Sequence, residues 1–133
     1  MKKIKVAITL LMVIMCLFTG ITVSAAPTVS PMYTLISIAS SGLNISAGVA
    51  TCDASITGQV GVDSVSLTGS LQRYNGSSWV TLKTWTKSAT GRTCSMTTTY
   101  SVSSGYNYRY RVSCTAYDGG SSETVIVTSY DSY

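Results

Sequence analysis

From Tyr33 onward, short runs rich in Val, Ile, Thr and Tyr alternate with clusters of Gly, Asn, Asp and Ser. The clusters recur at about eight to twelve residues, the spacing of strands in a sandwich or barrel rather than of alternating strands and helices. The pattern is clearest from Tyr106 to Tyr117. Tyr106, Tyr108, Tyr110, Val112, Cys114 and Ala116 hold one parity; Asn107, Arg109, Arg111, Ser113 and Thr115 hold the other. That alternation predicts a strand with one buried and one wet face. Six more strands are expected: Tyr33 to Ser46, broken near Ser40, Ser41 and Gly42; Val49 to Thr57; Ser64 to Tyr74; Trp79 to Thr86; Arg92 to Val102; and Glu123 to Tyr130. Asn75-Gly76 is the strongest hairpin signal in the chain.

The first segment follows a different pattern. Lys2, Lys3 and Lys5 precede an apolar run from Val6 to Val23, and Val23, Ser24 and Ala25 supply a small-residue cut site. This predicts a signal-peptide helix over residues 1–25, cleaved after Ala25, then a linker at 26–32, the β domain at 33–130 and a tail at 131–133. The expected destination is therefore extracellular: the protein is secreted.

Cleavage changes the charge. The chain has nine basic and five acidic residues, a net +4, but three lysines leave with the signal and the remainder is +1. A domain so nearly neutral releases few counterions, which argues against a nucleic-acid partner, and no membrane partner is expected once the signal is gone. Ser and Thr make up about a third of the domain, a composition suited to strands and polar turns.

About seven antiparallel strands with this turn spacing predict an all-β fold, an immunoglobulin-like or fibronectin type III-like sandwich. The run Tyr110, Val112, Cys114, Ala116, Asp118-Gly119 resembles the sixth strand of fibronectin type III and related bacterial immunoglobulin-like domains. Leu71-Gln72-Arg73, Trp79, Leu82-Lys83-Thr84-Trp85, Tyr100 to Tyr106 and Tyr110-Arg111-Val112 together resemble a group of small secreted proteins of Gram-positive bacteria, chiefly clostridia. The resemblance covers about residues 43 to 130. It implies the fold and export, and no activity.

Three cysteines remain after cleavage, Cys52, Cys94 and Cys114, all on inward parities. An odd number in an oxidising compartment leaves at least one unpaired or paired between chains. By resemblance to immunoglobulin domains, Cys52 and Cys114 occupy the inter-sheet bridge positions. Cys94 with Cys114 competes, and so does a set of three buried thiols.

The sequence has no histidine, and its five acids, Asp53, Asp63, Asp118, Glu123 and Asp131, are scattered. Neither a Ser-His or Cys-His pairing nor a glycosidase dyad is in prospect. A non-enzyme with no cofactor and no metal is expected. Asp118 and Glu123 flank the last turn, where turn chemistry outweighs a calcium site.

The candidate ligand face follows from the sixth strand. With its even positions buried, Arg109 and Arg111 project outward, and Gln72, Tyr74, Lys83 and Trp85 are expected beside them. Aromatic rings with cationic donors suit a glycan, a cell-wall polymer or an extracellular protein. Two alternatives stand beside this. The cationic stems simply solubilise a wet sheet face, or the domain is a structural protein that dimerises through an edge strand or its odd cysteine.

Overall fold

β-branched and aromatic residues at alternating positions form seven strands in the computed structural model, which describes residues 33–133. The expected signal helix (1–25), its cut after Ala25 and the linker (26–32) lie outside the described residues. The strands are β1 (Ile36–Ser46), β2 (Val49–Gly58), β3 (Ser64–Tyr74), β4 (Trp79–Thr90), β5 (Thr93–Ser101), β6 (Asn107–Asp118) and β7 (Ser121–Ser132). They form two antiparallel sheets, β1-β2-β5 and β4-β3-β6-β7, an immunoglobulin-like, fibronectin type III-like sandwich.

Most strand ends shift by one to three residues from the sequence expectation, and three differences are larger in consequence. β1 runs unbroken through Ser40, Ser41 and Gly42, which pair with Ser55, Ala54 and Asp53. Small residues lower strand propensity without removing any backbone donor or acceptor, so the ladder holds. β4 continues past its expected end at Thr86 to Thr90. The carboxyl end is not a loose tail: β7 reaches Ser132, and Tyr133 exchanges backbone hydrogen bonds with Tyr106.

The core lies between the inner faces. β2 contributes Ala50, Cys52, Ala54 and Ile56, and β5 contributes Cys94 and Met96; opposite them are Val65, Leu67 and Leu71 of β3 and Tyr108, Tyr110, Val112, Cys114 and Ala116 of β6. Small residues on β2 and a glycine on β3 accommodate the large rings of β6. A Cβ at position 69 would overlap the Tyr110 hydroxyl. Gly69 is therefore a packing requirement rather than a turn residue. Tyr108 places its ring in the core and donates its hydroxyl to the Ser103 carbonyl at 2.6 Å. This is the tyrosine corner of immunoglobulin-like sandwiches, tying the sixth strand to the crossover that precedes it. Tyr106, on the same parity, lies before β6 begins and is exposed, with the Arg73 guanidinium 4.4 Å from its ring centroid.

β1 and β7 are edge strands of opposite sheets, and carboxylates join them. Glu123 accepts backbone N–H bonds from Thr34, Leu35 and Ile36 at 3.0, 2.7 and 2.9 Å. Asp131 accepts from the Ile45 N–H at 2.7 Å. A free edge is a row of unpaired donors that invites another chain, and side-chain acceptors at both ends of β1 blunt it. The Glu123 carboxylate thus has a structural task. Partial desolvation raises its pKa, but the bonds from Leu35, Thr34 and Ile36 together outweigh this and hold it below the usual carboxylate value.

Two outcomes test this packing. Gly69→Ala lowers stability by about 1–3 kcal/mol, the cost of overfilling a packed core, in chemical denaturation; an unchanged midpoint would contradict the contact with Tyr110. Because the folded pKa of Glu123 is depressed, its contribution is complete above the unfolded carboxylate range and is lost as pH falls through the lowered value. Glu123→Gln is expected to lower the thermal midpoint at neutral pH and to flatten its fall on acidification. Parallel wild-type and variant curves from pH 7 to 2 would contradict the clasp.

Candidate functional site

The outer face of the four-stranded sheet is set by its register. Gln72 pairs with Arg109, and Arg109 with Tyr130; Ser70 pairs with Arg111, and Arg111 with Thr128; Thr68 pairs with Ser113. Along β4 the partners are Trp79 with Tyr74, Thr81 with Gln72 and Thr84 with Ser70. Hydroxyl groups cover most of this face, with cross-strand bonds between Ser70 and Thr84 at 2.9 Å and between Thr115 and Thr124 at 2.8 Å.

The exception lies at one end. After Tyr74 the chain turns through residues 75–78, with Asn75 Oδ1 accepting from the Ser77 and Ser78 N–H groups and Gly76 at φ 98°. That turn sets Trp79 opposite Tyr74, with ring centroids 5.3 Å apart. Tyr130 also packs on Trp79, its ring centroid 6.0 Å away in an edge-to-face arrangement. The Arg109 guanidinium sits 4.5 Å from the Trp79 centroid, a cation–π contact. Its Nε–H donates to Gln72 Oε1 at 2.7 Å, while Gln72 Nε2 donates to Thr81 Oγ1 at 3.0 Å. A depression of ≈ 500 Å³, lined by Trp79, Asn107, Tyr108, Tyr130, Asp131 and Ser132, adjoins the strip.

The structure thus brings together four of the six expected face residues, Gln72, Tyr74, Arg109 and Arg111, and separates Lys83 and Trp85 from them. The cause is a β-bulge. Leu71 pairs with Lys83 but Gln72 pairs with Thr81, so Leu82 is an extra residue in β4 and parity reverses across it. Trp85 consequently lies opposite Gly69 on the inner face, edge-on to Tyr100 and Tyr110 at 6.4 Å each. Lys83 takes the parity of the buried Leu71 and stays exposed at the sheet edge. Trp79 and Tyr130 take the place expected for Trp85. The Asn75-Gly76 turn was the available signal for Trp79, since it fixes the first pair of the hairpin.

Among the described residues no acid shares the outward parity of these arginines, and Asp131, which lines the adjoining depression, is engaged elsewhere. Asp53 lies on the other sheet, bonded to the Thr97 hydroxyl at 2.6 Å. Asp63 accepts from the Gly119 N–H at the far end of the sandwich, and Asp118 closes β6 there. Glu123 and Asp131 are committed to β1. Among the described residues no three His, Cys, Asp or Glu side chains converge as metal ligands would.

The expected Cys52–Cys114 bridge is not formed: Cys52, Cys94 and Cys114 are all free and buried. Burial, with a smaller contribution from Asp53, pushes the Cys52 thiol up to about 12, and burial alone pushes Cys114 up to about 11. The reactive thiolate is therefore suppressed at neutral pH. Beside them, burial first, with smaller contributions from the Cys52, Asp53 and Cys114 side chains, raises the Tyr110 phenol to about 12.

These features define a seven-stranded immunoglobulin-like sandwich with an aromatic strip, half-buried at Tyr74 and Trp79 and exposed at Tyr130, and one ordered arginine. No family model and no curated protein matches the chain. Among solved structures it is similar to the solution structure of CsgH from R. palustris, at a TM-score of 0.44 and 15% identity, over 68% of this chain and 87% of that one.

Alkylation measures the thiol state. In native protein at pH 8, Cys52 and Cys114 are expected to resist iodoacetamide, and after unfolding without reductant all three cysteines are modified. A single modified cysteine in the unfolded chain would restore the disulfide.

Proposed function

We propose that this domain is a secreted, non-enzymatic recognition module that binds a glycan or a glycan-containing cell-wall polymer through Tyr74, Trp79, Tyr130, Gln72 and Arg109. The observation that carries this reading is the fixed Arg109. Its Nε–H donates to Gln72 and its guanidinium carbon lies over the Trp79 ring, so donors and ring faces are ordered before a ligand arrives. Preorganisation reduces the cost of binding, and a sugar ring presents both the C–H surface that stacks on aromatic faces and the hydroxyls that accept from a guanidinium.

The competing reading, a self-associating structural protein, finds less support. Of the four edge strands, β1 is blunted by Glu123 and Asp131, and every thiol among the described residues is buried, leaving none at the surface for an intermolecular bridge.

Affinity electrophoresis through a panel of soluble cell-wall polysaccharides tests the proposal. At least one polymer is expected to retard the domain, Trp79→Ala to weaken that retardation about tenfold, the equivalent of roughly 1.4 kcal/mol, and Thr86→Ala to leave it unchanged. Retardation by no polymer, or equal retardation of Trp79→Ala and wild type, would overturn it.

A further inference from the structure

We infer that the glycan is acidic, its carboxylate or phosphate group held jointly by the terminal nitrogens of Arg109 and by Arg111. This rests on the glycan reading of the aromatic strip and specifies the chemistry that the strip selects.

Arg109 and Arg111 occupy the same face of β6, two residues and so about 7 Å apart along the strand. A guanidinium has five N–H donors. Gln72 takes the one on Nε, and the four on the terminal nitrogens are left for a ligand. Arg111 is exposed between Ser70 and Thr128. No carboxylate shares the outward parity of this face: Asp53 is on the other sheet, Asp63 and Asp118 are at the far end, and Glu123 and Asp131 accept from backbone N–H groups at β1, Asp131 also lining the depression beside Trp79 and Tyr130.

The contrast with the rest of the molecule gives this arrangement its weight. In a domain whose charges nearly cancel, two cations stand together on a face otherwise made mostly of hydroxyls, with amides, aromatic rings and the exposed Ile126. Solubility alone does not require one of them to be held against Trp79. A ring stacked on Trp79 would place a substituent toward β6, where an anion accepts from both guanidinium groups. Charge-assisted bonds to a planar fork favour carboxylate or phosphate over a neutral hydroxyl. Arg111 is thereby the selectivity residue, and Trp79 supplies affinity common to acidic and neutral chains.

Isothermal titration at low and physiological salt, with wild type, Arg111→Ala, Arg111→Lys and Trp79→Ala, separates the two claims. The probes are oligogalacturonate, its carboxyl-reduced neutral counterpart, and a phosphomannan. Wild type is expected to bind at least one acidic probe about tenfold or more tighter than the neutral oligosaccharide. Arg111→Ala removes most of that margin, Arg111→Lys keeps part of it, and added salt narrows it. Preference for oligogalacturonate assigns a carboxylate, and preference for phosphomannan assigns a phosphate. Equal, Trp79-dependent binding of acidic and neutral probes would overturn the acidic ligand and leave the glycan reading standing. Binding of none of the three would overturn the acidic ligand, while retardation by any other polysaccharide still upholds the glycan reading.

Discussion

One extra residue in β4 determines what this domain shows to its surroundings. With a regular ladder from Trp79 to Thr90, Trp79 and Trp85 would lie on the same face of the sheet, since they are six residues apart and side chains alternate with period two. Leu82, inserted opposite the Leu71/Gln72 step, gives the two indoles opposite fates. Trp85 enters the core beside Tyr100 and Tyr110, and Trp79 is left outside between Tyr74 and Tyr130. Bulges serve to re-aim side chains near functional sites and at sheet edges, and β4 is an edge strand. The strip then assembles by register alone, because Gln72, Arg109 and Tyr130 are successive partners across β3, β6 and β7.

The remainder of the sandwich keeps that face in place. Tyr110 fills the space over Gly69, and Tyr108 anchors the start of β6 to Ser103, so the strand carrying Arg109 and Arg111 is fixed from behind by both neighbouring tyrosines. Glu123 and Asp131 hold β1 against β7 and remove from circulation two of the five carboxylates. The same distribution of acids that stabilises the edges therefore leaves the arginine face without an internal counter-ion.

Much of this was legible in the chain. The alternation from Tyr106 to Tyr117 gave the correct wet parity for Arg109 and Arg111, and Asn75-Gly76 located the hairpin. What remained hidden depended on long-range pairing. A bulge leaves no local mark when both flanking stretches still alternate, as Trp79 to Thr81 and Lys83 to Ala89 do, so Trp85 was assigned the place that Trp79 occupies. The carboxylate clasp joins residues 86 to 89 positions apart, beyond any periodicity. The tyrosine corner was hidden for a different reason: its hydroxyl reaches a carbonyl five residues upstream, which parity alone does not reveal.

The proposed binding surface is the Trp79 end of the four-stranded sheet and no other face. Nitrogen-15 correlation spectra of the domain titrated with a polysaccharide that retards it measure this directly. The largest shifts are expected on the Trp79 indole N–H, the Arg109 Nε–H, the Gln72 side-chain amide and the Tyr130 amide, while the Trp85 indole stays still. Shifts centred on the Asp53 and Thr97 face of the other sheet, or on the Trp85 indole, would contradict it.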